Sequence, residues 1–314
     1  MTTPQPAVLA EVVRNDVVEG QHLGHAVILD ADGTVARSWG DPSAVVFPRS
    51  ANKPAQGIGM LRRGLDLPPD LLALAVASHS GEAMHLDGVR RILALADLDE
   101  SALQTPADLP LDAVERDAWI AAGRPPCSIA MNCSGKHAAM LLTCQTNGWS
   151  IDDYRSPDHP LQQSISNTIA DLAGEPIAAI GVDGCGAPLL ALSLVGLARS
   201  VQAIVDPKQD GRVAEAMRAH PVLVGGSRRP VTHAMRAVPG LVMKEGAEGV
   251  LVLALPDGRA AALKVLDGAD RARIVAGAAL LIALGIDESS VADQRTLPVL
   301  GGGAAVGAIR SPIA

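Results

Sequence analysis

"LVLALPDGRAAALKVL", Leu251–Leu266, is a pair of apolar β-prone runs separated by Pro256-Asp257-Gly258, the pattern of a hairpin. "HAVILDADGTVARSWG", His25–Gly40, repeats it near the other end of the chain around Asp30-Ala31-Asp32-Gly33, again with turn residues between the two runs. A further apolar run, "GLVMKEG" (Gly240–Gly246), precedes the later hairpin. Between these β-rich ends the apolar spacing turns helical. It predicts helices over 53–64, 81–96, 135–147, 160–173, 188–199 and 208–219. Strands at both ends with helices between them lack the regular βαβ alternation of a parallel sheet. The order predicts an α+β fold: N- and C-terminal strands join in one antiparallel sheet, the middle is a helical insertion, and a helix at 269–285 packs on the sheet. One unit with a continuous core is expected, its sheet lobe from 1–50 plus 230–314 and its mainly helical lobe from 51–229.

With 314 residues, 48% of them hydrophobic and 19% charged, the chain can bury a sizeable core and does not resemble a disordered segment. Aromatics make up only 2%, so the core must come from Ala, Leu, Val and Ile. That scarcity argues against stacking platforms for single-stranded nucleic acid. A formal charge of −8 argues against nucleic acid or an anionic membrane as partner. The longest apolar run, "IVAGAALLIALGI" (Ile274–Ile286), falls short of the roughly 20 residues of a membrane span and suits a buried helix. The opening "MTTPQPAVLAEVVRNDVVEG" has neither a basic start nor a long apolar region, so a cytoplasmic location is expected. Four cysteines in such a chain read as thiols or metal ligands rather than a disulfide framework.

Three stretches and two smaller signals can carry chemistry. In "PRSANKP" (Pro48–Pro54), Ser50 and Lys53 lie one helical turn apart where the strands give way to helix. A hydroxyl needs a base, and burial beside another cation can lower a lysine pKa enough to supply one. Arg49 would add that charge or hold a carboxylate bidentately. In isolation the same residues also read as a helix cap with an exposed lysine. In "SIAMNCSGKHAAML" (Ser128–Leu141), Cys133 would share a helix face with Lys136 and His137. Cysteine and histidine are ordinary zinc ligands, and lysine is rare because its amine must first lose a proton. The glycine-rich turn "GVDGCGAP" (Gly181–Pro188) lets backbone approach a ligand closely. There Asp183 can bind an ammonium, or Cys185 can complete a metal site with Cys133. Cys127 and Cys144 read as core. "ASHSGE" (Ala77–Glu82) offers Ser78 just before a helix, and Lys244 interrupts an apolar strand as edge protection or as a second catalytic ammonium.

The order of these motifs is more specific than any one of them. "RSANKPAQ", "ASHSGE", "NCSGKH", "DGC" followed by a proline, and the strand lysine Lys244 together resemble the class 3 (rhizobial-type) L-asparaginases from about residue 10 to residue 303. The resemblance implies a serine β-lactamase/glutaminase-like fold and a cytoplasmic homodimer that hydrolyses L-asparagine to L-aspartate and ammonia. It implies two serine–lysine pairs, Ser50 with Lys53 and Ser78 with Lys244, and a Zn2+ bound by Cys133, Lys136 and Cys185. It also places Arg49, His137 and Asp183 at the substrate. The chain departs from the pattern in being short between the Asp183 loop and Lys244. Rival readings are a penicillin-binding or β-lactamase-like serine acylase, a glutaminase, and a zinc-binding module without catalysis.

Overall fold

The computed structural model describes residues 5–313. Strands β1 (Ala7–Arg14), β2 (Val17–Leu29), β3 (Val35–Trp39) and β4 (Val45–Val46) come first. Helices α1 (Lys53–Leu61), α2 (Pro69–Ala75), α3 (Ala83–Leu95), α4 (Ala113–Ala121), α5 (Ser134–Asn147) and α6 (Pro160–Ala173) follow. Next are β5 (Ala179–Val182), β6 (Pro188–Ser193), α7 (Leu194–Val205), α8 (Arg212–Ala219), α9 (Pro221–Val224) and α10 (Pro230–Ala237). The chain closes with β7 (Val242–Gly246), β8 (Val250–Ala254), β9 (Ala260–Val265), α11 (Asp270–Ala283), α12 (Ala292–Arg295), β10 (Thr296–Gly301) and β11 (Ala304–Arg310).

The expected joining of the two ends is present. One sheet runs β10-β11-β1-β2-β9-β8-β7, with β3 also pairing β2, and every pairing in it is antiparallel. N-terminal β2 lies against C-terminal β9, Ala26 opposite Leu263 and Ile28 opposite Ala261. Both quoted hairpins form, and their outward neighbours follow the turn chemistry. Asn15 and Asp16, with φ of 43° and 65°, make the tight link between β1 and β2. Strands β7 and β8 are buried at every position, because α7 and α11 pack against this part of the sheet. No helix among the described residues is long and apolar enough to cross a membrane.

One expected helix is wrong in its first half. Over 188–199, Pro188–Ser193 is strand β6, between β4 and β5 in a second three-stranded sheet. Helix starts only at Leu194, where the Ser193 hydroxyl accepts the Gly196 N–H at 2.9 Å. A short apolar run such as "PLLALS" has no period that separates strand from helix, and pairing with β5 decided it. The mainly helical middle therefore contains a small sheet. That sheet carries the turn with Asp183 and Cys185.

Candidate active site

Arg49–Asn52 forms a 3-10 turn that runs straight into α1, with Pro54 in the first helical turn, where no N–H is missed. Ser50 lies in that turn and is half-buried, while Lys53 heads α1 and is 1% exposed. The amine of Lys53 does not close on Ser50. Among the described residues its nitrogen reaches Ser78 Oγ at 3.1 Å, Cys133 Sγ at 3.1 Å and the Ala77 carbonyl. So the expected Ser50–Lys53 hydrogen bond is not closed, and Lys53 reaches across to the second serine. Neither is Lys53 the exposed lysine of a simple helix cap.

Ser78 follows α2 in the segment "ASHSGE" and is 5% exposed. Lys244 stands on β7, the end strand of the large sheet, and points inward: its Nζ is 3.0 Å from Ser78 Oγ and 2.7 Å from the Glu245 carbonyl. A lysine protecting an edge would face water, and this one is 1% exposed. One hydroxyl thus sits between two buried amines. Burial, reinforced by the charge of Lys53, pulls the Lys244 amine well below its ordinary value. The adjoining residue shows the opposite balance. Burial would push the Glu245 carboxyl up, but Arg273 and Arg229 outweigh it and hold it at about 2. Both guanidinium groups bond that carboxylate, Arg273 at 2.6 Å.

The thiols form an adjoining cluster. Cys133 precedes α5 and Lys136 and His137 lie in its first turn, all three buried and at the spacing of the expected shared face. Cys185 arrives from the turn after β5, and Lys136 Nζ is 3.2 Å from its sulfur. The pair titrates together. Hydrogen bonding between the two sulfurs and burial push Cys133 up, and the same bond with the Lys136 charge holds Cys185 down. Burial lowers Lys136, but Cys185, Cys133 and Asp183 outweigh it and carry its amine above the ordinary value.

These donors fit a metal. Tetrahedral zinc, about 2.3 Å from sulfur and about 2.0–2.1 Å from nitrogen, would place sulfur and amine about 3.5 Å apart, close to the spacing here. Among the described residues no three His, Cys, Asp or Glu side chains gather as ligands, so the set depends on the lysine as third donor. Because Lys53 bonds Cys133, the two clusters are contiguous.

Arg49 has φ of 51°, a left-handed conformation that non-glycine residues rarely adopt. It directs Nε onto Asp183 Oδ1 at 2.8 Å, and Asp183 also lies 3.7 Å from Cys185 Sγ. So two of the three expected substrate contacts form one ion pair beside the thiols. His137 is the third. Its Nδ1 is 2.7 Å from the hydroxyl of Tyr154, and its buried Nε2 has no hydrogen-bond partner. Burial lowers its pKa, which favours the neutral ring. A cavity of about 470 Å3, lined by Phe47, Arg49, Val182, Leu189, Glu248 and Lys264, opens on the other side of Arg49.

Sequence reading missed Tyr154, Glu245, Arg229 and Arg273. The first carried a signal, as the chain's one tyrosine in an aromatic-poor composition. The other three become legible only when β7, α10 and α11 meet. Cys144 is buried, and Cys127 is half-buried against the core.

Residues 10–311 match the family model described as L-asparaginase II. No curated protein matches the chain. Among solved structures, a β-lactamase from Mycobacterium bovis is 15% identical, over 84% of this chain and 95% of that one, with a TM-score of 0.47. A Bacillus glutaminase is 12% identical, over 83% of this chain and 89% of that one, with a TM-score of 0.36.

Proposed function

The chain belongs to the L-asparaginase II family, and on that premise we propose that it hydrolyses L-asparagine to L-aspartate and ammonia through its serine–lysine cluster. The observation that carries this reading is the Ser78 hydroxyl held 3.1 Å from Lys53 and 3.0 Å from Lys244. Two ammonium groups on one buried oxygen repel each other, so one amine gives up its proton. In this scheme Lys244, whose pKa burial and the Lys53 charge lower, supplies the neutral amine.

The row Lys53, Ser78, Lys244 is then a proton path. Lys53 passes a proton to Ser78 Oγ as the Ser78 proton moves to Lys244. That leaves Lys53 neutral, one turn from Ser50, to receive the Ser50 proton as its oxygen attacks the amide carbon. Ser50 is the nucleophile in this scheme because it is half-buried, whereas Ser78 is nearly sealed. The departing nitrogen takes the proton back along the same path and leaves as ammonia. Water then repeats the cycle on the aspartyl ester, forming aspartate and restoring Ser50.

Cys133, Lys136 and Cys185 would hold Zn2+, which would supply a cationic anchor for the substrate's carboxylate. Arg49 and Asp183, already paired, have complementary charges for the substrate zwitterion. Ammonia release from L-asparagine and L-glutamine, set beside ring opening of a β-lactam, tests the assignment on the purified protein. Turnover of asparagine that is lost in Ser50→Ala and Ser78→Ala supports it, and preferential turnover of the β-lactam returns the chain to the serine-acylase reading. A second copy of the chain as partner and a cytoplasmic role in asparagine catabolism belong to the same proposal.

A further inference from the structure

Ser78 and Lys244 are 166 positions apart in sequence, yet their side chains meet at 3.0 Å. Ser78 lies in an irregular segment, and Lys244 stands on a strand that pairs in the large sheet only with β8. Neither element by itself fixes that separation. One short connection, Val224–Arg229 between α9 and α10, touches both.

Its contacts run in order along the chain. The Val224 carbonyl accepts the Ser78 N–H at 3.2 Å, and the Gly225 carbonyl accepts the Ser80 hydroxyl at 2.8 Å. Ser227 donates its N–H and its hydroxyl to the Glu82 carboxylate, each at 2.7 Å. Arg229 then reaches Glu245, the neighbour of Lys244, whose carbonyl lies 2.7 Å from the Lys244 amine. Arg273 bonds the other oxygen of the same carboxylate, so Glu245 is fixed from two sides.

Gly226 lets the connection come this close. Its φ is +121°, and a Cβ there would lie 2.1 Å from Ser80 Oγ, 2.5 Å from Ser80 Cβ and 2.9 Å from Glu82 Oε1. Any other residue must push the Ser78 segment away.

We infer that Val224–Arg229 is a gauge that sets the distance between the Ser78 hydroxyl and the Lys244 amine, with Gly226, Ser227 and Arg229 as positioning residues. The inference rests on the proposed function, in which that contact carries the proton. Neither Ser227 nor Arg229 touches the reacting groups and Gly226 has no side chain, so the three act through Ser80, Glu82 or Glu245.

The test uses the full-length protein with Gly226→Ala, Ser227→Ala, Arg229→Gln and Arg229→Lys. An error of about 1 Å in a catalytic contact costs about a hundredfold. Gly226→Ala is therefore expected to lower kcat by about that factor while KM, bound metal and circular dichroism stay near wild type. Ser227→Ala keeps the N–H contact and loses less, which covers the case in which Gly226→Ala does not fold. Arg229→Lys keeps a cation against Glu245 and should recover most of the activity that Arg229→Gln loses. A kcat unchanged in Gly226→Ala and Arg229→Gln overturns the inference, as does a loss no larger than the unfolded fraction.

A second arm needs no turnover. In crystals of Gly226→Ala, or of Ser227→Ala if the first does not fold, the Ser78 Oγ to Lys244 Nζ distance should exceed hydrogen-bonding range. A distance that stays near 3.0 Å sinks the gauge even if the protein proves to act on another substrate. A wild-type protein inactive on asparagine whose variants still show the lengthened contact sinks only the functional reading.

Discussion

Lys244 and Lys136 are buried alike, each 1% exposed, and each amine lies against one heteroatom on a distant segment. Their charges diverge. Lys244 meets a hydroxyl already shared with a second lysine, and its pKa falls. Lys136 meets a pair of thiols, with Asp183 behind them, and its pKa rises. Burial alone would lower both. What the buried amine faces decides whether it serves as a base or as a cation that a metal must displace. Lys53 joins the two regions, since it touches Ser78 on one side and Cys133 on the other.

The largest effects should come from the hydroxyl side. Ser50→Ala, Lys53→Ala, Ser78→Ala and Lys244→Ala should each lower kcat by about a thousandfold or more. Any double variant should be little worse than its singles, because residues acting as one unit are not additive. Additive losses between Ser50 and Lys244, measured as a double-mutant cycle on ammonia release, would break the row into two independent pairs.

Selectivity comes next. Glutamine carries one more methylene into the same pocket, which is worth about 1–3 kcal/mol, so asparagine should be preferred by roughly tenfold to a few hundredfold in kcat/KM. Glutamine turned over faster would leave the fold intact and redirect the substrate assignment.

Disturbing the thiol side should do less to the chemistry. Chelation is expected to raise KM more than it lowers kcat, and to leave the fold standing, since the serine–lysine row supplies nucleophile and base without the metal. Zinc titration should give one ion per chain, lost in Cys133→Ser and in Cys185→Ser and held less tightly as pH falls, because Lys136 must lose a proton to bind. Undiminished binding in both variants would remove the site from the account.

The smallest effects are on stability, and their signs differ. In the folded state Lys244 titrates below its ordinary value of about 10.4. Between the two values the unfolded chain holds a proton that the folded chain does not, so folding weakens as pH falls through that window. Lys244→Met removes the penalty. Its Tm should exceed wild type, by a margin that widens as pH falls from alkaline toward the folded value. Lys136→Met leaves the thiol pair without its cation and should lower Tm. Thermal melts of both variants, with chelator present, compare them directly.

The sequence already showed much of this contrast. The two hairpins and the run at "GLVMKEG" predicted strands at both ends, and the "NCSGKH" stretch predicted the face shared by Cys133, Lys136 and His137. Both are local patterns, carried by turn residues and by the helical repeat. What the sequence left out is held by contacts across long separations. Lys53 was expected to serve Ser50 three positions before it, but its amine goes to Ser78 and Cys133, because α1 packs beside segments that no local pattern connects to it. The Glu245–Arg229–Arg273 cluster was equally silent, since its three charges come from three elements. Over "PLLALS" the apolar run matched strand and helix equally well, and only pairing with β5 and β4 settled it.

The proposed chemistry depends on Lys53, Ser78 and Lys244 forming one proton path that serves Ser50. Enzyme quenched during turnover of L-asparagine, digested and read by mass spectrometry, tests it most directly. An aspartyl ester is expected on Ser50, absent from Ser50→Ala and sharply reduced in Lys244→Ala. An ester on Ser78 would contradict it, because the relay would then be the nucleophile.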